Sequence, residues 1–78
     1  MWENYKNLSK RSGVLAYMYD EIQGDWIKVK FKDGSIYSYT SVSADPFTIL
    51  LMIAKAQDGL GLNRFINKYQ PGYEYKTY

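Results

Sequence analysis

Trp26-Ile27-Lys28-Val29-Lys30-Phe31-Lys32-Asp33-Gly34-Ser35-Ile36-Tyr37-Ser38-Tyr39-Thr40 is the stretch on which the fold turns. Its first half alternates without a break, with Ile27, Val29 and Phe31 on one face and Lys28, Lys30 and Lys32 on the other, the period-2 pattern of a half-buried strand. Asp33-Gly34 supplies the left-handed position of a tight hairpin, and Ser35 to Thr40 returns as the next strand. The turn admits two registers, and a one-residue slip sends the returning side chains to the opposite face. A two-residue loop at Asp33-Gly34 sets Lys30 opposite Tyr37 and Lys28 opposite Tyr39, which makes a basic, aromatic, open face. A three-residue loop, Lys32 to Gly34 with a bulge at the glycine, sets Val29 opposite Tyr37 and Ile27 opposite Tyr39, and the tyrosines become core.

Upstream, Val14-Leu15-Ala16-Tyr17-Met18-Tyr19 is an apolar run of strand formers, closed by the turn cluster Asp20 to Asp25 with Gly24 inside it. A three-stranded antiparallel meander is expected. Residues 1–11 are polar apart from Trp2, Tyr5 and Leu8 and read as an N-terminal arm, leaving one domain over residues 12–78. Downstream, Ser43 or Asp45 can cap a helix with Pro46 at its first position. That helix carries two apolar stripes, Phe47/Leu50/Leu51/Ala54 and Ile49/Met52/Ile53/Ala56, on nearly opposite sides. A sheet covers only one side, so Ile49, Met52, Ile53 and Ala56 are expected at an oligomer interface. After Gly59 and Gly61 a second helix follows, with Leu62, Phe65, Ile66 and Tyr69 as its stripe and Gln70-Pro71-Gly72 as its stop. The tail, Tyr73 to Tyr78, alternates Tyr with polar residues and suits an added edge strand or docking on a neighbour. The fold class is α+β, a meander packed against two short helices.

The chain has 78 residues, enough for one domain. A core of this size supplies only about 3–5 kcal/mol before a staple is added. Neither Cys nor His is present, so disulfides, thiol nucleophiles, Cys/His zinc sites and a Ser-His-Asp triad lack their parts, and no cofactor or metal is expected. Self-association is the staple that remains. No window reaches the roughly 18 apolar residues of a membrane span, and no targeting signal precedes the domain, so the expected compartment is the cytoplasm. The formal net charge is only +2, while the aromatic content is high, with 9 Tyr, 3 Phe and 2 Trp. Three of the 10 bases, Lys28, Lys30 and Lys32, fall on one hairpin strand, which is basic.

Trp26, Lys28, Lys30, Lys32, Tyr37 and Tyr39 form a candidate stacking platform, rings taking bases and lysines neutralising phosphates. Alternating Lys is also a defence against edge pairing, which is the plainer reading. Asn63 and Arg64, with Lys68 one turn on, could grip an anion at the start of the second helix. Gly59-Leu60-Gly61 lacks the further glycine and the preceding strand of a phosphate loop and reads as an interhelical turn. The carboxylates fall in turns and caps with no pair on a rigid face, so no catalytic residues are assigned and an enzyme is not expected.

The order of elements resembles the KTSC domain, named for its occurrence at the C-terminus of some lysyl-tRNA synthetases. The shared marks are Tyr19-Asp20, Val29-x-Phe31, Gly34, Tyr37-Ser38-Tyr39 and Val42, then Gly59, Asn63 and Ile66, and the Tyr-rich end, covering residues 12–78. The resemblance implies a small non-catalytic module, found alone in bacterial and phage proteins, with a suggestion of RNA binding; a Tyr-x-Tyr placed there favours the bulged register with buried rings. The expected function is a non-catalytic binding module for RNA or a nucleotide-type anion, held through Lys and Tyr. The alternative is a small homo-oligomeric phage-type accessory protein that sequesters a nucleotide signal or inhibits a host protein.

Overall fold

The structure, a computed structural model, describes residues 1–77. Five strands, β1 (Glu3–Asn4), β2 (Val14–Tyr19), β3 (Trp26–Phe31), β4 (Ile36–Thr40) and β5 (Tyr75–Thr77), form one antiparallel sheet in sequential order. Helices α1 (Pro46–Asp58) and α2 (Leu62–Tyr69) lie between β4 and β5 in the chain. The sheet is thus wider than the expected meander by a strand at each edge. The tail supplies β5, as its alternation suggested; β1 has only two residues, too few to show any period.

The hairpin takes the three-residue register. Gly34 sits at φ 93° and donates its N–H to Phe31 O at 2.9 Å, and Phe31 N–H donates to Ser35 O at 2.9 Å. Val29 therefore pairs with Tyr37 and Ile27 with Tyr39. Across the other edge of β3, Tyr17 pairs with Val29 and Tyr19 with Ile27, after an irregularity between Val14 and Ala16 that leaves Leu15 exposed. One sheet face thus carries Val14, Tyr17, Ile27, Val29 and Tyr39 into the core, where they meet Ile49, Met52, Ile53, Ala56 and Leu62 from the helices. Tyr39 is only 2% exposed, and burial of its ring raises the phenol pKa far above the ordinary value.

The expected interface stripe is corrected by this packing. Ile49, Met52, Ile53 and Ala56 are the buried face of α1, and Phe47, Leu50, Leu51 and Ala54 face outward. The helix's rotation is fixed at both ends. Asp45 accepts from Thr48 N–H at 2.8 Å at the start, with Pro46 following it. Gly59, at φ 73°, donates to Lys55 O and Ala56 O at the end, where a Cβ would lie 2.5 Å from Lys6 Cβ. That approach brings in the N-terminal segment, whose Leu8 N–H donates to Gly59 O at 2.8 Å. Tyr5 is buried, and its hydroxyl accepts from Leu62 N–H at 3.3 Å. Residues 1–11 are accordingly part of the domain's packing and not an arm outside it. No helix among the described residues is long and apolar enough to cross a membrane.

Two predictions follow from the packing. Tyr39→Ala should lower stability by about 3–5 kcal/mol, read from the urea midpoint, as for other large aromatic truncations. The carboxyls of Asp20, Asp33 and Asp45 are held below their ordinary pKa: Asp20 by the backbone N–H groups of Asp25, Ile22 and Gln23, Asp33 by the Ser35 hydroxyl and N–H, Asp45 by the Thr48 hydroxyl and N–H. The folded chain binds these protons more weakly than the unfolded chain, so their stabilisation is present above pH about 4 and is lost as pH falls through the depressed folded values. Asp45→Asn keeps a capping oxygen and should show a smaller acid-induced fall in melting temperature than the parent.

Candidate nucleic-acid interface

The sheet face opposite the helices is built from the alternate positions of the same strands. Lys28 and Lys30 on β3 pair with Ser38 and Ile36 on β4, and those pair in turn with Tyr75 and Thr77 on β5. On the other side of β3, Lys28 pairs with Met18 and Lys30 with Ala16. One cross-strand row thus reads Met18, Lys28, Ser38, Tyr75, and its neighbour reads Ala16, Lys30, Ile36, Thr77. Trp26, opposite Thr40, completes the face, with the Lys28 ammonium 5.8 Å from its ring centroid. Tyr75 is half exposed, and Trp26, Lys28 and Lys30 are partly covered. At the centre, Ser38 is 4% exposed, and its Oγ is buried without a hydrogen-bond partner. An orphaned buried hydroxyl costs stability, about 1–3 kcal/mol.

The register therefore divides the expected platform. Trp26, Lys28 and Lys30 share the helix-free face, whereas Tyr37 and Tyr39 project from the other side, Tyr39 as core and Tyr37 as its half-buried neighbour. Two tyrosines expected beside the lysines are thus replaced by Tyr75, whose alternation in the tail was visible but whose partner strand was not.

Lys32, at the hairpin tip, belongs to neither face. It lines a cleft of about 860 Å³ between the hairpin and α2, together with Tyr37, Tyr39 and Asn63. Phe31, Asn67, Gln70 and Tyr73 also line it and are not among the binding residues expected from the sequence; Asn67, one helical turn from Asn63, is the one that helical spacing could have added. The cleft's far wall depends on Gly72, since a Cβ there would overlap the Ser43 carbonyl, and Ser43 Oγ donates to Gly72 O at 2.9 Å.

Asn63, Arg64 and Lys68 line one groove together, beside Arg11 and Ser9. Asn63 also borders the cleft, and Arg64 and Lys68, one turn apart on α2, also border a second groove beside Lys55 and Phe65. Lys55 and Lys68 lie over the rings of Phe65 and Tyr69, at 5.7 and 5.4 Å from the centroids. Gly61, which precedes α2, carries no side-chain cap and serves as the interhelical turn that its sequence suggested. Among the described residues no three Asp or Glu side chains converge as a metal site. No family model matches the chain, and neither a curated protein nor a solved structure matches it.

Proposed function

We propose that this chain is a non-catalytic module that binds single-stranded RNA across the helix-free face of its sheet. The observation that carries the reading is the placement of Trp26, Lys28, Lys30 and Tyr75 on one face that no helix covers. An open antiparallel sheet spaces such side chains for a single strand: rings stack on bases, which needs no sequence preference, and ammonium groups neutralise the phosphates between them. Ser38, between Lys28 and Tyr75, lies beneath these side chains with its hydroxyl shielded from solvent. A solvated face that only guards against edge pairing explains the lysines but not the rings beside them. The resemblance to KTSC domains that the sequence suggests implies a small non-catalytic module, in line with this proposal.

A second reading, self-association, rests on the outward stripe of α1. Phe47 is 70% exposed and Leu50 55%. In a twofold antiparallel pairing of this helix, Phe47 would oppose Ala54 and Leu50 would oppose Leu51, so large meets small and equal meets equal. Light scattering of the parent should then give a dimer mass, and Leu50→Glu a monomer.

For the RNA reading, anisotropy of labelled oligouridine across a salt series is the test. Lys28→Ser with Lys30→Ser should weaken binding and flatten the log–log salt slope by about 1.4, or ~0.7 for each lost phosphate contact. An unchanged slope sinks the reading. Ser38→Ala should leave the melting temperature equal or higher, because removing an unsatisfied buried hydroxyl costs the free protein nothing.

A further inference from the structure

The cleft between the β3–β4 hairpin and α2 has a chemistry different from that of the lysine face. One wall is aromatic and interlocked: Tyr37 meets Phe31 edge to face at 5.4 Å and Tyr73 at 4.9 Å, and lies nearly parallel to Tyr39 at 6.2 Å. Such packing holds ring faces and hydroxyls in place before any ligand arrives. The opposite wall is the face of α2 that repeats Asn63, Asn67 and, at its end, Gln70, with Ile66 between them. A carboxamide offers two donors and an acceptor, and a phenol offers one of each. The side-chain hydrogen bonds among the described residues use none of the Asn63, Asn67 and Gln70 amides and none of the Tyr37, Tyr39 and Tyr73 hydroxyls. Burial keeps the Tyr39 phenol protonated, so it remains a donor at every working pH.

Charge on the lining is balanced. Lys32 is the one cation among the cleft-lining residues and Asp33 the one anion, and Asp33 is already engaged by the Ser35 N–H at 2.9 Å and the Ser35 hydroxyl at 2.6 Å. The Lys76 ammonium lies 5.1 Å from the Tyr37 ring centroid, so two ammonium groups and one carboxylate stand at the cleft, a net charge well below that of a di- or triphosphate. A planar, uncharged heterocycle would meet aromatic faces on one side and matched donors and acceptors on the other, within a volume in the range of small-molecule sites, about 300–1,000 Å³. We propose that this cleft is a nucleobase site, taking the base of a free nucleoside or an unstacked base of an RNA strand between the Tyr37/Tyr73 wall and the Asn63/Asn67/Gln70 face. It lies on the side of the sheet opposite Lys28 and Lys30 and does not depend on RNA binding there.

The test is nuclear magnetic resonance of the full chain, following the Asn and Gln side-chain amides while adenosine, guanosine, cytidine, uridine or a short oligouridine is added. Saturable shifts of the Asn63, Asn67 and Gln70 amides are expected with at least one of these. A response to nucleosides identifies a free-ligand site, and a response to the oligonucleotide alone identifies a base presented by a strand. Asn67→Ala, at an exposed helix position, should raise the dissociation constant about tenfold with an unchanged melting temperature, as loss of one hydrogen bond does. Tyr73→Ala should weaken binding from the opposite wall as well, with a lower melting temperature, because it also loses its ring contacts with Tyr37 and Tyr39. The proposal is overturned if no probe shifts these amides up to its solubility limit, or if the affinity is the same in both variants as in the parent.

Discussion

Gly34 at φ 93° and the three-residue loop it allows set the relation between Lys28, Lys30 and the Tyr-x-Tyr strand, and the rest of the molecule follows from that relation. With Phe31 bonded to Ser35, Ile27 and Val29 of β3 meet Tyr39 and Tyr37 of β4 on the helix side. Shifted by one residue, β4 would send Ile36, Ser38 and Thr40 inward and lift Tyr39 into water. Burial of a large ring is worth about 1.5–3 kcal/mol, a substantial share of what a domain of this size holds. The loop and the core therefore select the same register, and in doing so place bases and buried tyrosines on opposite sides of one sheet.

Both ends of the chain close the structure that this hairpin begins. The N-terminal residues add β1, bury Tyr5 against α2 and pass so close to Gly59 that no side chain fits there. The C-terminal residues pass Ser43 at Gly72, bring Tyr73 against Tyr37 and then add β5. A 78-residue chain without disulfides thus gains sheet width and core coverage from both termini. The same additions complete two surfaces: Tyr75 extends the open face, and Tyr73 extends the cleft wall.

The two surfaces differ in what they could recognise, and the difference is electrostatic. The open face has two ammonium groups beside the Trp26 and Tyr75 rings, with one carboxylate, that of Glu74, accepting from Thr40 at its end; the excess of positive charge is what the RNA proposal uses. The cleft has little net charge, a fixed aromatic wall and unused amides and phenols, an arrangement suited to a neutral planar group that stops in it. Arg64 and Lys68, expected to hold an anion with Asn63, line a further groove with Asn63, Asn67 and Arg11, and of these only Asn63 and Asn67 also reach the cleft.

Local pattern alone determined much of this protein. Period-2 alternation located β3, the apolar run located β2, Pro46 and the glycines at 59 and 61 bounded the helices, and the alternating tail foretold β5. These features are legible because each depends on residues within one element or one turn. Which stripe of α1 is buried was not legible, since both are apolar at the same spacing and only the caps and contacts at its two ends fix the rotation. Nor was the docking of residues 1–11, whose partners are up to 57 positions away in the chain. The hairpin register was narrowed to two by the sequence and decided by the tertiary core, because the free energy that separates them comes from side chains brought in by β2, α1 and α2.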